Sequence, residues 1–250
     1  MTTPSQSSLW IRNFHPAPDA RIRLICLPHA GGSASYYFPM SKALAPEFDV
    51  YSLQYPGRQD RYKEPFVETL DALADQVYDA LSTLPDAPTA FFGHSMGAVV
   101  AFELARRFEA RAARPALTVF ASGSRAPSLY GDDWEPADDD DLLEVMRDLG
   151  GTDPRVLSNP DLLVTFLPAF GNDYRALASY HRGVDVGISA PIVVMTATDD
   201  PKTTDAGARA WLEHTTGGGE VHTFTGGHFY LEKQPQRVVE VVATALRKLG

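Results

Sequence analysis

The sequence predicts an α/β architecture, a mostly parallel central sheet flanked by helices, with an inserted helical lid. Three observations lead there. Short apolar runs alternate with helix-patterned runs along the chain, and several apolar runs are continuously hydrophobic, as strands covered on both faces are. One strand–turn–helix junction, Thr89 to Ala105, carries a serine at its apex. The interval between Ser122 and Ala190 contains no convincing strand, so the alternation breaks at one place.

In chain order, residues 1–9 read as a weakly tethered terminus, Trp10-Ile11 as the start of an edge strand, and His15-Pro-Ala-Pro-Asp19 as a turn. Arg21 to Leu27 is a strand ended by Pro28, and the glycine-rich loop Pro28 to Ser35 leads into a helix near Tyr36 to Ala45. Asp49 to Gln54 is the next strand, broken by Pro56-Gly57-Arg58 ahead of a long helix from about Thr69 to Leu84. Past the serine junction come strands at Ala116 to Ser122 and Ala190 to Ala197, then a helix over Thr204 to His214. A last strand, Glu220 to Phe224, and a last helix, Glu232 to Leu249, close the chain. With no repeat and no linker, residues 1–250 form one domain.

The interrupting segment, approximately 126–188, reads as helical. Asp138 to Gly150 is amphipathic, with an acidic first turn and a glycine stop; Asn159-Pro160 opens a second helix, and Phe170 to Tyr180 forms a third. Inserted helices over the C-terminal edge of a parallel sheet lie where ligands bind, so the segment is expected to act as a lid. The acidic run Asp132 to Glu144 is read as a solvated face with helix N-capping.

Composition narrows the function. Forty-four per cent hydrophobic and 22% charged residues are values of a soluble globular protein. A net charge of −10 argues against nucleic acid or an anionic membrane as partner. No uncharged apolar run is long enough to span a bilayer, and Met1 to Leu9 lacks the order of a signal peptide, so the expectation is a cytoplasmic protein. The single cysteine, Cys26, lies in a strand-like run and is read as a buried small hydrophobe. No zinc-like spacing and no phosphate-binding lysine loop is present, so neither metal nor cofactor is expected.

The pentapeptide Gly93-His94-Ser95-Met96-Gly97 fits the G-x-S-x-G nucleophile elbow, with a strand before it and a helix after. The turn strains the serine backbone, and side chains two residues to either side would collide with strand or helix, hence the glycines. Ser95 then projects Oγ above the sheet edge beside a helix N-terminus that favours an oxyanion.

A serine hydroxyl needs a base, and the base needs an orienting group; on this architecture they follow in the order Ser, acid, His. Of seven histidines, His15, His29, His94 and His181 precede any plausible acid, and His94 should point into the fold. His214 falls in a helix and His222 in a strand, which leaves His228 in the loop Thr225 to Phe229, where Gly226 and Gly227 give it a mobile, accessible perch. Asp199 and Asp200 both follow the strand ending near Thr198; Asp200, at the Asp-Pro turn-out, is preferred, with Asp199 the alternative. The expected oxyanion donors are Met96 N–H and Ala30 N–H, with Gly31 an alternative to Ala30. Losing one such donor removes about 3 kcal/mol of transition-state stabilisation.

Leu27-Pro-His-Ala-Gly-Gly-Ser33, Tyr55-Pro-Gly-Arg58, Phe92-Gly-His-Ser-Met-Gly-Ala98, Asp199-Asp-Pro201 and Gly226-Gly-His-Phe-Tyr-Leu231 occur in this order from Trp10 to the C-terminus. Together they resemble the type II thioesterases, free-standing α/β-hydrolases associated with polyketide synthases and nonribosomal peptide synthetases. The resemblance implies Ser95 as nucleophile, His228 as general base and Asp200 as its partner. It also implies hydrolysis of acyl groups from the phosphopantetheine arm of acyl or peptidyl carrier proteins; separately, the chain is expected to be a monomer. One departure is the lead-in Ala197-Thr-Asp-Asp200, which replaces a more usual glycine-aspartate.

Carrier proteins are usually acidic, as is this chain, so docking calls for a local basic surface. Arg58, Arg61 and Lys63 form one candidate, and Arg106, Arg107 and Arg111 another. The competing functions are a small-molecule esterase, a chain-releasing thioesterase, or a non-catalytic binding module on the same fold; an intact Ser95, Asp200 and His228 argues against the last.

Overall fold

Among the described residues the apolar runs become seven strands: β1 (Ile11–Arg12), β2 (Arg23–Leu27), β3 (Asp49–Leu53), β4 (Thr89–His94), β5 (Val119–Ser122), β6 (Ile192–Ala197) and β7 (Gly219–Phe224). They join in one sheet, ordered β1-β3-β2-β4-β5-β6-β7, in the computed structural model, which describes residues 9–131, 138–152 and 154–250. Only β1 runs antiparallel; every pairing from β3 to β7 is parallel. The strand order reverses direction at β2, whose two neighbours are β3 and β4. Loops leaving β2 and β4 therefore diverge from adjacent strand ends, the crevice where parallel sheets take ligands.

Helices cover both faces, as the continuous apolar strands require. They are α1 (Phe38–Leu44), α2 (Leu70–Leu81), α3 (Met96–Ala112), α4 (Asp139–Leu149), α5 (Pro154–Leu157), α6 (Pro160–Ala178), α7 (Asp205–Arg209), α8 (Tyr230–Lys233) and α9 (Pro235–Arg247). One face buries Leu73 and Val77 of α2 and Val99 and Phe102 of α3 against Ile25 and Phe91. The other buries Met40 and Leu44 of α1 and Val238 and Val242 of α9 against Leu24 and Phe92. Side-chain oxygens close helix starts where the sequence pattern puts them: Thr69 for α2, Asp138 for α4, Asn159 for α6 and Thr204 for α7. Thr204 to His214 is α7 followed by a 3-10 turn, Ala210–His214.

The strandless segment between β5 and β6 is helical, with one correction. The two helices expected from Asn159 and from Phe170 are a single helix, α6, which continues through Pro168. A proline within a helix frees the carbonyl four residues back and crowds it. Here that residue is Val164, 74% exposed, and Pro168 is exposed as well, so water can serve the freed carbonyl. Residues 1–8 of the terminus and 132–137 of the acidic run lie outside the described residues.

The chain leaving α6 is fastened to the serine-bearing helix. Glu103, fully buried on α3, accepts hydrogen bonds from Tyr180 Oη (2.8 Å), Arg182 Nε (2.8 Å) and Arg107 Nη1 (2.6 Å). Among the described residues no helix is long and apolar enough to cross a membrane.

Candidate active site

β4 ends at His94, α3 begins at Met96, and Ser95 between them has φ 55° and ψ −122°. This strained backbone is what the elbow pattern anticipates. A Cβ on Gly93 would stand 1.9 Å from the Gly97 carbonyl oxygen, and one on Gly97 2.0 Å from the Leu27 carbonyl oxygen. Ser95 N–H donates to the Ser122 carbonyl at 2.8 Å, tying the apex to β5. His94 points inward, as expected. It is fully buried, with Nδ1 3.0 Å from Ser122 Oγ, and that hydroxyl lies 2.6 Å from Tyr230 Oη.

The same Tyr230 explains how a residue beyond β7 reaches β4. Its ring stacks on Phe224 at the end of β7, and its hydroxyl reaches β5. Gly226, at φ 115°, makes the reversal that sends Thr225–Phe229 back over the sheet edge. His228 comes to rest with its ring 4.9 Å from His94 and with Nδ1 2.9 Å from Asp200 Oδ2. The side chains of His228 and Asp200 are 2% and 0% exposed, so the mobile, accessible perch expected for His228 is instead a packed seat. Ring packing against His94 and Phe229 and the carboxylate hold it there.

Asp200 Oδ1 accepts from Lys202 N–H at 2.9 Å, which turns the chain at Asp-Pro and aims Oδ2 at the imidazole. Asp199 is exposed and accepts from Thr198 Oγ1. Of the two aspartates, Asp200 is the one on the histidine.

Ser95, His228 and Ala30 line one cavity of about 180 Å³, with Tyr130, Phe170 and Phe229 around them. His228 Nε2 is buried and has no hydrogen-bond partner, so the face turned from Asp200 is open to a proton donor. A second cavity of about 230 Å³ adjoins the first across His29, Ala30, Phe170 and Phe229, and Met146, Leu149 and Phe166 make its wall apolar. Both cavities lie under α4 and α6.

The loop after β2 is a tight turn in which Gly32 N–H donates to the His29 carbonyl at 2.9 Å and Gly31 has φ 71°. A positive φ at the third position marks a type II turn and calls for glycine. Gly31 N–H donates to Asp173 Oδ2 at 2.8 Å, whereas Ala30 N–H has no partner among the described residues. Of the two alternatives, the amide left open is Ala30. The other expected donor, Met96 N–H, opens α3, where no carbonyl of the helix precedes it.

Two further imidazoles flank His228, and burial keeps both neutral. Burial, followed by the charges of His228 and Arg58, lowers the pKa of His29 to about 3. Burial, followed by His228 and His29, holds His94 well below the usual histidine range. His228 is thus the histidine bonded to a carboxylate, beside two neighbours that resist protonation.

None of the sequence motifs points to Asp173. Arg58 Nη2 lies 2.6 Å from its Oδ2, and the two side chains are 8% and 5% exposed. The available signal is periodicity: Asp173 interrupts the apolar stripe Phe166, Phe170, Tyr174, Leu177 with a carboxylate. Its partners cannot be read locally, since Arg58 and Gly31 lie far back in the chain.

The pair also removes one expected docking surface. Arg58 is buried on Asp173; Arg61 is buried with its guanidinium on Glu64 and the Gln54 carbonyl; Lys63 alone of the three is exposed. In the second set, Arg106 pairs with Glu103, Arg107 with Glu103, Asp71 and Asp75, and Arg111 with Asp75. All five arginines of the two clusters are paired with carboxylates. Cys26 is buried, as expected, and burial pushes its thiol up from the ordinary value. Among the described residues no group of three or more His, Cys, Asp or Glu side chains could hold a metal ion.

Residues 22–246 match the family model described as a thioesterase domain. A "Probable cadicidin biosynthesis thioesterase" of Streptomyces griseus is 46% identical over 246 residues, 98% of this chain and 68% of that protein. "Thioesterase PikA5" of Streptomyces venezuelae is 44% identical over 230 residues, 91% of this chain and 82% of that one. Among solved structures, the type II thioesterase BorB from the borrelidin biosynthetic cluster superposes with a TM-score of 0.87 at 43% identity, covering 98% of this chain and 100% of that one.

Proposed function

The chain belongs to the thioesterase domain family of the α/β-hydrolase fold, and from that premise we propose which bond it cleaves and with which residues. It is a serine hydrolase acting on thioesters, of the type II kind found in polyketide and nonribosomal peptide pathways. Its substrate is an acyl group on the phosphopantetheine arm of an acyl or peptidyl carrier protein, and its task is to clear stalled or aberrant units. Residues 1–250 act as one domain, and the segment 126–188 acts as a lid. The reading includes a cytoplasmic monomer that uses no metal, cofactor, nucleic acid or membrane.

The observation that carries the reading is the hydrogen bond from His228 to Asp200, with the opposite ring nitrogen unpartnered in a cavity that also holds Ser95. Nδ1–H donates to the carboxylate, which leaves Nε2 bare and basic. Ser95 Oγ attacks the thioester carbonyl carbon as its proton passes to Nε2. The carbonyl electrons move onto the oxygen, which Met96 N–H and Ala30 N–H receive. The C–S bond then breaks, sulfur takes the proton from His228, and the carrier arm departs as a free thiol. Water, deprotonated by His228, attacks the acyl-serine; the carboxylic acid leaves and Ser95 Oγ regains a proton.

The test is a rate series on acylated carrier proteins, acyl-coenzyme A and p-nitrophenyl esters. The reading requires kcat/KM to be highest on the carrier protein and to vanish in Ser95→Ala. Equal rates on all three substrates would make the protein a general esterase instead.

A further inference from the structure

The turn that offers Ala30 N–H is not held by β2 alone. Its backbone groups are taken up one by one: the His29 carbonyl by Gly32 N–H, Gly31 N–H by Asp173, and Ala34 N–H by Gln54 Oε1 at 3.0 Å. The His29–Ala30 peptide plane is fixed by the first of these bonds. Because its carbonyl points at Gly32, its N–H, the donor for the oxyanion, points the opposite way.

The next plane, Ala30–Gly31, is the central peptide of the turn. A flip of that plane alone would change ψ of Ala30 and φ of Gly31 and leave the His29–Ala30 plane in place, so Ala30 N–H loses its direction only if the turn itself opens. What holds the turn closed besides its own backbone bond comes from α6. Asp173 Oδ2 accepts Gly31 N–H at 2.8 Å, and a Cβ on Gly31 would stand 3.0 Å from Phe166 Cζ and 3.2 Å from Phe170 Cβ, both on α6. Arg58 in turn holds the carboxylate from the other side, and its own carbonyl accepts from Gln54 Nε2 at 3.1 Å. Asp173 thus bonds the Ala30–Gly31 plane directly, Arg58 supports that carboxylate, and Gln54 ties Ala34 N–H of the same loop to the Arg58 carbonyl.

We propose that Asp173 is a positioning residue: by accepting Gly31 N–H it locks the turn that aims Ala30 N–H at the oxyanion, so the oxyanion site is complete only while α6 is seated. The inference rests on Ser95 being the nucleophile and goes beyond it in assigning a task to the inserted segment. A buried ion pair is open to a second explanation, that Asp173 only neutralises Arg58. The two explanations part when the pair is replaced as a unit, since a buried pair exchanged for apolar groups of similar size is often tolerated.

The experiment compares Arg58→Met/Asp173→Leu with Arg58→Gln/Asp173→Asn. The first keeps volume and neutrality but removes the acceptor for Gly31 N–H; the second is neutral and restores an acceptor. Each is assayed with p-nitrophenyl acetate and with a trifluoromethyl ketone that forms a tetrahedral adduct on Ser95. The Met/Leu pair should remain folded by thermal melting, lose kcat by about tenfold to a hundredfold, and keep KM within about twofold. Its affinity for the ketone should fall by the same factor as kcat/KM. The Gln/Asn pair should recover most of the lost kcat.

Wild-type kcat in the Met/Leu pair, or an equal loss in both pairs, would overturn the assignment. Should the Met/Leu pair fail to fold, Arg58→Met/Asp173→Ser decides in the same assays, because a serine hydroxyl stops short of Gly31. A drop in kcat matching the ketone affinity supports the lock, and wild-type kcat refutes it. The control is wild-type turnover abolished by Ser95→Ala. Failure of that control would remove Ser95 as nucleophile, whereas a sound control with indifferent Asp173 variants removes only this inference.

Discussion

Asp200 Oδ2 sits 2.9 Å from His228 Nδ1, while the adjacent carboxylate, Asp199, turns away to Thr198 and solvent. Two neighbouring aspartates thus have unlike surroundings. Asp199 N–H is bonded to the Gly226 carbonyl at 2.9 Å, which ties the β6 exit to the histidine loop and leaves the next residue to face the ring.

The first prediction follows from that bond. Asp200→Asn keeps the shape but favours the wrong imidazole tautomer, and kcat should fall by about 10⁴. Asp199→Asn should change kcat by less than about threefold. Steady-state assays on one acyl thioester, with circular dichroism to verify folding, would measure both. The reverse ranking would make Asp199 the orienting acid.

A second prediction concerns the elbow. Alanine at Gly97 would put Cβ 2.0 Å from the Leu27 carbonyl oxygen, which is backbone of the central sheet and cannot move aside alone. Gly97→Ala should destabilise the fold by about 3 kcal/mol. Gly218 has φ 74°, but a Cβ there would meet no atom within 4 Å, so Gly218→Ala incurs only the left-handed penalty of about 1 kcal/mol. Urea denaturation of the two variants should show this difference.

A third concerns pH. The folded protein holds His29 at about 3, below its ordinary 6.5, because burial penalises the cation. Between those values the unfolded chain binds a proton that the folded one refuses, so stability falls as pH drops from about 6.5 towards 3. His29→Asn should make the decline shallower by about 1.4 kcal/mol per pH unit over that window. Stability from urea melts at pH 6, 5 and 4 gives the slope, and an unchanged slope would show that His29 accepts a proton in the fold.

A fourth tests the fastening of α6. Glu103 is fully buried and serves Tyr180, Arg182 and Arg107. Glu103→Gln removes the buried carboxylate shared by Arg107 and Arg182, which keep Asp71 and Asp75, and the expected loss is about 2 kcal/mol. The loss should appear in global denaturation and in faster amide exchange over Ala178–Arg182. Protection unchanged there would mean that the connection is held by packing alone.

How much of this was legible in the sequence depends on the reach of each signal. Strand positions, the elbow and the helix caps depend on residues adjacent in the chain, and Thr69, Asp138, Asn159 and Thr204 all cap where the pattern puts them. Choosing His228 required only topology, since it is the one histidine in a loop after the last strand. Its burial was not legible, because glycines beside it signal freedom while Tyr230, which pulls the loop inward, takes its partner from β5. The joining of the helices expected from Asn159 and from Phe170 was not legible either, because whether a helix continues through a proline such as Pro168 depends on its surroundings in the fold. The pairing of the basic clusters was not legible because arginine partners such as Asp173 and Asp75 lie in distant segments.

Passage of the acyl group through Ser95 is the claim on which all the others turn. Rapid quenching of the wild-type protein with an acylated carrier protein, followed by peptide mass spectrometry, tests it directly. The expected result is a transient acyl ester on Ser95 that precedes release of the acid, with no turnover in Ser95→Ala. Hydrolysis at the wild-type rate in Ser95→Ala, with no acylated peptide at any time, would contradict it.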